Sequence, residues 1–330
     1  MKEVIVEAYL GIDVGSVTTK FAVLNADDDV LFDLYLPTGG QPVRAIQEGL
    51  RRLGAGLPGR IEIRGAATTG SARSLAGAIT GADIVKNEIT CQAVAAIQAV
   101  PGVRTVLEIG GQDSKLICIT DEMVTDFGMN TVCAAGTGSF LDHQAARLQM
   151  SIEEFSRRAL SGGNPVRISG RCTVFAESDM IHKQQTGHNV DDIIYGLCRA
   201  LVQNYLSDVG SGKEILAPVV FQGGVAFNQG IVRALKEELG TDIIVPHRHE
   251  VMGAIGAALL AHEHAGAHPG GSLFRGFDIG YADYRTTSFE CDACPTTCEI
   301  VRVMEGDEPV AAWGGICDKW HINLVQQGVK

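Results

Sequence analysis

The sequence lacks the features that mark nucleic-acid-binding and membrane proteins. Its 330 residues carry 27 lysines and arginines against 39 aspartates and glutamates, and the basic residues form no stripe. A nucleic-acid partner is therefore not expected. The longest apolar run, around residues 251–261, is too short to span a bilayer. The first seven residues include two acids and no long apolar core, so we expect no signal peptide, no membrane partner and a cytoplasmic location.

The chain also lacks an even set of cysteines. Nine cysteines without a secretion signal disfavour a disulfide framework and favour metal or redox chemistry. Three of them lie in apolar or helical contexts that are typical of small buried side chains: Cys91, Cys118 and Cys198. The other six lie in Gly-rich polar segments (Cys133 and Cys172) or in a C-terminal group (Cys291, Cys294, Cys298 and Cys317).

Glycine, by contrast, is abundant, and two glycine turns reveal an internal repeat. Residues 9–24 and 105–119 each read as a strand, a Gly turn and a second strand, followed by a further turn and strand. When the first segment is aligned on the second with a single offset, an acid, a glycine and a lysine coincide: Asp13 with Glu108, Gly15 with Gly110, and Lys20 with Lys115. The repeat predicts two related α/β halves whose turns lie on opposite walls of one cleft.

The chemistry of these turns suits phosphate and magnesium. Backbone N–H groups of a Gly turn bind anions, and Asp13 with the acids between 108 and 113 can hold a hydrated Mg²⁺. Hairpins that need glycine only for geometry are the alternative. A third glycine turn, Gly223-Gly224, follows a buried strand and weighs against that alternative. The candidate residues are Gly15, Ser16, Val17, Thr18, Thr19 and Lys20 in the first turn, and Gly110, Gly111, Gln112, Asp113 and Lys115 in the second.

The motifs around the three turns resemble a known family. Residues 10–20, 108–115 and 222–228 are similar to the two phosphate motifs and the adenosine motif of the acetate and sugar kinase, heat-shock chaperone and actin superfamily. Within it, the chain most resembles the activators of 2-hydroxyacyl-CoA dehydratases and the ATPase subunits of benzoyl-CoA reductases, over about Val6 to Ala261. The resemblance implies an α/β, actin-like ATPase fold, with two related ribonuclease H-like subdomains around a nucleotide cleft.

The expected organisation follows from this resemblance. Residues 1–100 with 245–265 form the first subdomain, and residues 101–244 form the second with the cluster-binding helices. A breaker-rich linker at 264–272 leads to a small Cys-containing extension, residues 273–330.

The resemblance also implies the ligands and their residues. ATP or ADP with Mg²⁺ is the expected ligand. The implied catalytic residues, which would serve Mg²⁺ and the attacking water, are Asp13, Gln112 and Asp113. The implied adenosine residues are Gly223, Gly224 and Asn228, with Gly253 and Ala254 on the other side of the nucleotide.

Cys133 and Cys172 each lie just ahead of a predicted helix, where the helix dipole and free N–H groups stabilise a thiolate. On placement alone, inert cysteines at helix caps are an equal alternative. Their flanks, residues 132–138 and 169–178, resemble the two cluster-cysteine motifs of the activators. Because a [4Fe–4S] cluster needs four thiolates, the resemblance implies one cluster that bridges a homodimer. Further expected phosphate contacts beside Cys133 are Gly136, Thr137 and Gly138.

The implied function is ATP hydrolysis coupled to low-potential electron transfer from the bridging cluster. The acceptor is an iron–sulfur enzyme, a 2-hydroxyacyl-CoA dehydratase or a related reductase, and the donor is a ferredoxin or flavodoxin. A small-molecule kinase of the same fold is one alternative, but the second half offers no identifiable catalytic Asp for it. A chaperone-like or filament-forming ATPase is another, and it predicts a protein without colour or redox activity.

The four C-terminal cysteines form a complete thiolate set: Cys291, Cys294, Cys298 and Cys317. Their spacing fits Zn²⁺ and a second iron–sulfur cluster equally well. The extension also resembles the start of an extra module that follows the ATPase unit in larger members of the family. Cysteines without a ligand role are the alternative.

Overall fold

The structure is a computed structural model that describes residues 5–57, 60–130, 136–169 and 173–320. These residues belong to two compact units, one within Met1–Ala95 and Gly253–Lys330 and the other within Ala96–Met252. The subdomain boundaries inferred from sequence stay a prediction. No helix in the described ranges is both long enough and apolar enough to cross a membrane.

The first unit is built on a five-stranded sheet. Its elements, in chain order, are β1 (Ile5–Val14), β2 (Thr18–Asn25), β3 (Val30–Pro37), α1 (Pro42–Gly56), β4 (Arg60–Thr69), α2 (Arg73–Thr80), β5 (Ile84–Val85) and α3 (Glu88–Ala99), whose last turn belongs to the second unit. The strand order is β3-β2-β1-β4-β5, with β1 antiparallel to β2 and parallel to β4. Pro42 starts α1 because its fixed φ suits the first helical turn. Gly81 ends α2 in the left-handed conformation.

The second unit repeats this arrangement. Its elements are β6 (Thr105–Ile109), β7 (Ser114–Thr120), β8 (Met123–Asn130), α4 (Gly138–Arg147), α5 (Ile152–Ala159), α6 (Thr173–Gln185), α7 (Val190–Val209), β9 (Val219–Gln222), α8 (Gln229–Leu239) and β10 (Ile243–Ile244). The order is β10-β9-β6-β7-β8, with β6 antiparallel to β7 and parallel to β9. Read from the opposite edge, order and polarity equal those of the first sheet, so the internal repeat is confirmed in topology.

A last long helix, α9 (Met252–Ala267), packs closely against strand β1 and helix α3 at glycine positions. A Cβ on Gly11 of β1 would lie 1.9 Å from the carbonyl oxygen of Ala254, and one on Gly256 would lie 1.8 Å from that of Cys91. The predicted linker begins too early, because α9 continues to Ala267. Only one weak helix former, Gly266, lies between His264 and Ala267, and Pro269 follows the helix end.

The residues after α9 add a three-stranded antiparallel sheet to the first unit. Its strands are β11 (Tyr284–Glu290), β12 (Glu299–Glu305) and β13 (Glu308–Trp313). Ile279 and Val303 share a buried core with Phe21 and Ile46. Gln47 of α1 also donates from Nε2 to the carbonyl oxygen of Ala282, at 2.6 Å. The extension therefore packs directly on the first core.

Candidate functional site

The first glycine turn is built around an ion pair between buried Asp13 and half-buried Lys20. The register of β1 and β2 sets Asp13 opposite Lys20, and Lys20 Nζ lies 3.1 Å from Asp13 Oδ2. Gly15 N donates to Thr18 O at 3.0 Å and closes the turn. Thr38 Oγ1 in turn donates to Gly15 O at 2.8 Å. The turn is thus held from both sides while Asp13 is fixed at the strand end.

Two glycines approach the Asp13 carboxylate. A Cβ on Gly253 would lie 2.7 Å from Asp13 Oδ2, and one on Gly70 would lie 2.6 Å from Oδ1. Gly70 also has a φ of +93°, which favours glycine. Positions 70 and 253 therefore leave no room for a side chain of their own beside the carboxylate, which keeps space there for a hydrated cation. Gly253 was predicted, whereas Gly70 was missed. Ala254, predicted beside it, is buried, and its carbonyl faces Gly11.

The second turn repeats the pair with one more acid. Lys115 is almost fully buried, and its Nζ lies 3.0 Å from Glu108 Oε2 and 2.9 Å from Asp113 Oδ2. Gly110 N donates to Asp113 O at 3.0 Å, as Gly15 does in the first turn. Two carboxylates hold the Lys115 ammonium, so Lys115 fixes the positions of these acids, while its predicted contact with a nucleotide stays a prediction. Gln112, the predicted water-positioning residue, is exposed in the same turn.

The N-terminus of α4 is attached to the second turn. Gly138 N donates to Gly110 O and Ser139 N donates to Gly111 O, both at 2.8 Å. The Ser139 hydroxyl also contacts Gly111 O. The structure therefore brings predicted residues Gly110, Gly111 and Gly138 together, with buried Thr137 as the N-cap of α4. Ser139 was missed, although its place next to a predicted glycine motif could have indicated it.

The third turn carries an unpaired amide. Gly223 has a φ of +93°, and a Cβ there would lie 2.5 Å from Ile109 O. Asn228 Oδ1 caps α8 by accepting from Gly230 N at 3.0 Å and Ile231 N at 3.2 Å. The other end of that amide, Nδ2, is buried and has no hydrogen-bond partner among the described residues. A buried donor of this kind is costly unless a ligand accepts from it.

An aromatic pair beside the third turn was not predicted. The carbonyl oxygen of His249 accepts from Gly223 N at 2.8 Å, and His249 Nδ1 lies 3.1 Å from Gly223 O. The ring of Phe227 meets the His249 ring edge-on, with centroids 4.4 Å apart. More than half of the Phe227 side chain remains exposed. No local sequence pattern links residues 227 and 249, because they meet only through the fold.

The comparison with known families identifies the family that shares these motifs. A model of the BadF/BadG/BcrA/BcrD ATPase family matches residues 10–261. The chain belongs to this family. The match covers both repeats and all three turns and ends before the extension, so the family resemblance inferred from the motifs is confirmed.

Relatives and solved structures agree with this assignment. The (R)-2-hydroxyglutaryl-CoA dehydratase activating ATPase of Acidaminococcus fermentans is 36% identical over 78% of this chain and 97% of its own. The crystal structure of component A of that organism's dehydratase superimposes with a TM-score of 0.72 at 34% identity, covering 78% of this chain and 99% of that one. The activator of the 2-hydroxyisocaproyl-CoA dehydratase from Clostridium difficile, with bound ADPNP, gives a TM-score of 0.70 at 32% identity, covering 79% and 97%. The predicted actin-like ATPase fold is confirmed.

Cys133 and Cys172 of this family member lie outside the described residues, but the helices that follow them are described. Helix α6 begins at Thr173, directly after Cys172. Its next two residues, Val174 and Phe175, are 66% and 64% exposed. Arg147 at the end of α4 pairs with Glu177 of α6 at 2.7 Å. The two helices that follow the predicted cluster cysteines are therefore joined.

The structure describes all four cysteines of the extension, and their side chains are not arranged around a common metal position. Cys291 is buried, Cys298 is half-buried, and Cys294 and Cys317 are exposed. Within the described ranges, no three His, Cys, Asp or Glu side chains are placed to hold one metal ion. The metal site in the extension stays a prediction.

Lys115→Met tests whether the second turn depends on its buried charge. The substitution leaves Glu108 buried and Asp113 beside it without the ammonium, and breaking a buried pair costs about 3–5 kcal/mol. We expect a clearly lower urea midpoint of unfolding. Lys236→Met is the matched control, because Lys236 pairs with Asp242 on the surface. Equal midpoints for the two variants would contradict the positioning role of Lys115.

Proposed function

We propose that this chain is the ATP-dependent activator of an iron–sulfur enzyme. It hydrolyses Mg-ATP and uses that reaction to drive a low-potential electron out of a [4Fe–4S] cluster shared by two copies of the chain. The proposal is supported by relatives whose names describe dehydratase activators and an activating ATPase. The observation that carries it is the attachment of α4, which follows Cys133, to the Gly110-Gly111 turn.

The proposed nucleotide chemistry uses the turns as positioning devices. Asp13 orients waters of the magnesium ion, which neutralises phosphate charge when bound. Gln112 orients the attacking water, and Asp113 lies beside it. Positioning and electrostatic stabilisation dominate phosphoryl transfer. Carboxylates held in place by Lys20 and Lys115 can provide both effects.

The remaining proposed contacts hold the nucleoside part of the nucleotide. Asn228 donates from its unpaired Nδ2 to the nucleoside, and Gly223 with Gly224 allows close backbone approach. Gly253 and Ala254 contact the nucleotide's other side. The solved relative with bound ADPNP supports an adenine nucleotide as the ligand.

The proposed cluster site uses Cys133 and Cys172 of each copy. Two thiolates per chain complete the four that a [4Fe–4S] cluster needs only when two chains meet. The exposed Val174 and Phe175, directly after Cys172, supply apolar surface for that contact. When bound, the cluster supplies one-electron transfer at low potential.

Coupling between the two sites follows from the described backbone. A nucleotide that shifts the Gly110-Gly111 turn also shifts α4, because two backbone hydrogen bonds join them. The Arg147–Glu177 pair extends this link to α6. Both helices that follow the cluster cysteines thereby respond to the nucleotide. The proposed acceptor is a 2-hydroxyacyl-CoA dehydratase or a related reductase, and the proposed donor is a ferredoxin or flavodoxin.

Asp13→Asn tests the proposed catalytic centre. The amide cannot replace the carboxylate charge that orients the metal waters, so ATP hydrolysis should fall about a hundredfold or more. The rate is measured with saturating Mg²⁺ and ATP, and folding is checked by circular dichroism. Asp27→Asn, at an exposed position between β2 and β3, is the control and should keep its rate. Full activity of a folded Asp13→Asn protein would refute the assignment.

Asn228→Asp separates nucleotide binding from helix capping. Aspartate keeps the capping oxygen but removes the Nδ2 donor, so the melting temperature should hold while ATP affinity falls. Loss of one hydrogen bond, worth about 0.5–1.5 kcal/mol, corresponds to roughly 2- to 13-fold. Asn228→Ala loses the cap as well and should lower stability by about 1 kcal/mol. Titration calorimetry with Mg-ATP that shows unchanged affinity for Asn228→Asp would argue against the contact.

Cys172→Ala tests the bridging cluster. We expect loss of the cluster iron, about four per dimer, and a weaker dimer, while each chain still binds ATP. Iron and molecular mass are measured on anaerobically purified protein that carries Ser at all four extension cysteines, so that only this site is counted. Cys118→Ala, in β7, is the control. Iron retained by Cys172→Ala, or a full cluster in a monomer, would show that the cluster is not shared.

A further inference from the structure

The cysteines of the extension lie beyond the residues that match the family, and the proposed function leaves them unused. Three of them lie at one end of the β11–β12 hairpin. Glu290 pairs with Glu299, so the next pair along the ladder is Cys291 with Cys298. Cys291 N donates to Cys298 O at 2.8 Å, which confirms that they face each other. Cys294 lies in the turn between them, where Thr297 N donates to its carbonyl oxygen at 3.2 Å.

The fourth cysteine returns to the same end of the sheet. β12 pairs Val301 with Trp313, so the chain after β13 runs past the end of the hairpin that carries Cys298. A Cβ on Gly314 would lie 2.3 Å from Glu299 O, which shows how closely this segment follows β12. Trp320, in the short helix next to Cys317, donates from Nε1 to Cys291 Sγ at 3.1 Å. All four thiols therefore come from one corner of the small sheet.

We propose that Cys291, Cys294, Cys298 and Cys317 bind one structural zinc ion. Four thiolates surround zinc as a tetrahedron at about 2.3 Å, which sets neighbouring sulfurs roughly 3.8 Å apart. Opposite residues of an antiparallel pair have Cβ atoms roughly 4.5–5.5 Å apart, which suits two ligands of one ion. A four-iron cluster holds each thiolate on a different iron and therefore farther apart. The hairpin fits the single ion better.

The surroundings of the corner match the charge of such a site. Four thiols lose their protons to solvent on binding, so zinc with four thiolates carries a net negative charge. Arg302 lies over the rings of Phe289, at 4.0 Å, and Trp320, at 5.4 Å, and Lys319 lies 5.6 Å from the Trp320 ring. These cations offset the charge, while Phe289, Cys298 and Trp320 pack against the small buried cluster that contains Cys291.

Binding requires a local rearrangement of the cysteine side chains, because no three of them are yet placed around one ion in the described ranges. Cys294 and Cys317 are exposed, so their side chains turn toward Cys291 without losing buried contacts. Metal binding would stabilise the extension, because a small antiparallel sheet has little core of its own. Cys291 lies in a small cluster with Ile300 and Ala312.

The full chain, purified anaerobically, is assayed for zinc, iron and acid-labile sulfide. We expect about one zinc per chain, and about a tenth of that or less in a Cys294→Ser/Cys317→Ser variant. Cys118→Ser, outside the extension, is the matched control and should keep its zinc. A strong chelator should lower the melting temperature of the full chain and leave that of the double variant unchanged. ATP hydrolysis should be the same in all three proteins.

Two results would overturn the zinc assignment. Zinc no higher in the wild-type chain than in the double variant, even after incubation with zinc chloride, would mean that the thiols form no site. Iron and sulfide that disappear with Cys294 and Cys317 would mean that the corner holds a cluster. Both readouts are independent of the proposed function, whose iron depends on Cys133 and Cys172.

Discussion

The acid–lysine pair across each glycine turn is the interaction on which the candidate site residues of each unit depend. Asp13 with Lys20 and Glu108 with Lys115 face each other across the first two strands of their sheets. The buried Lys115 ammonium is tolerated only beside compensating carboxylates, and the half-buried Lys20 pairs with buried Asp13 in the same way. A slip of one residue in strand register would turn the lysine to the other face of the sheet. In the observed register the two side chains pair with each other, so the turn backbone stays available for a ligand.

The spacing on which these pairs depend was predictable from the sequence because it is local, whereas the ion pairs themselves were not predicted. Acid, glycine and lysine are separated only by one hairpin, and the same spacing recurs after a fixed shift, so the repeat predicts two sheets of one topology. The glycines beside Asp13 are different. Gly253 was assigned by resemblance alone, and Gly70 was missed, because both reach the carboxylate through packing between distant segments. No periodicity in the sequence shows that α9 lies on β1 without space for a Cβ.

The extension shows the same division between local and long-range information. Cysteine spacing predicts a thiolate set, and the hairpin register explains why two of its members face each other. The sequence does not show that Ile279 and Val303 complete the core over Phe21. Burial of this kind depends on which surfaces meet, and the alternation of short strands leaves that open. The extension inferred from its composition and cysteines thus packs on the first core, while its boundaries stay a prediction.

In the proposed function, the attachment of α4 to the second turn limits how strongly the nucleotide is coupled to the cluster. Each of its two backbone hydrogen bonds contributes about 0.5–1.5 kcal/mol to the net stability of the contact. A nucleotide shifts an equilibrium only by its difference in affinity between two states. If that difference exceeds the strength of the attachment, the turn moves and leaves α4 behind. The proposed coupling therefore requires that the hydrogen bonds between α4 and the turn stay intact when the turn moves. The contact of the Ser139 hydroxyl with Gly111 O strengthens this attachment.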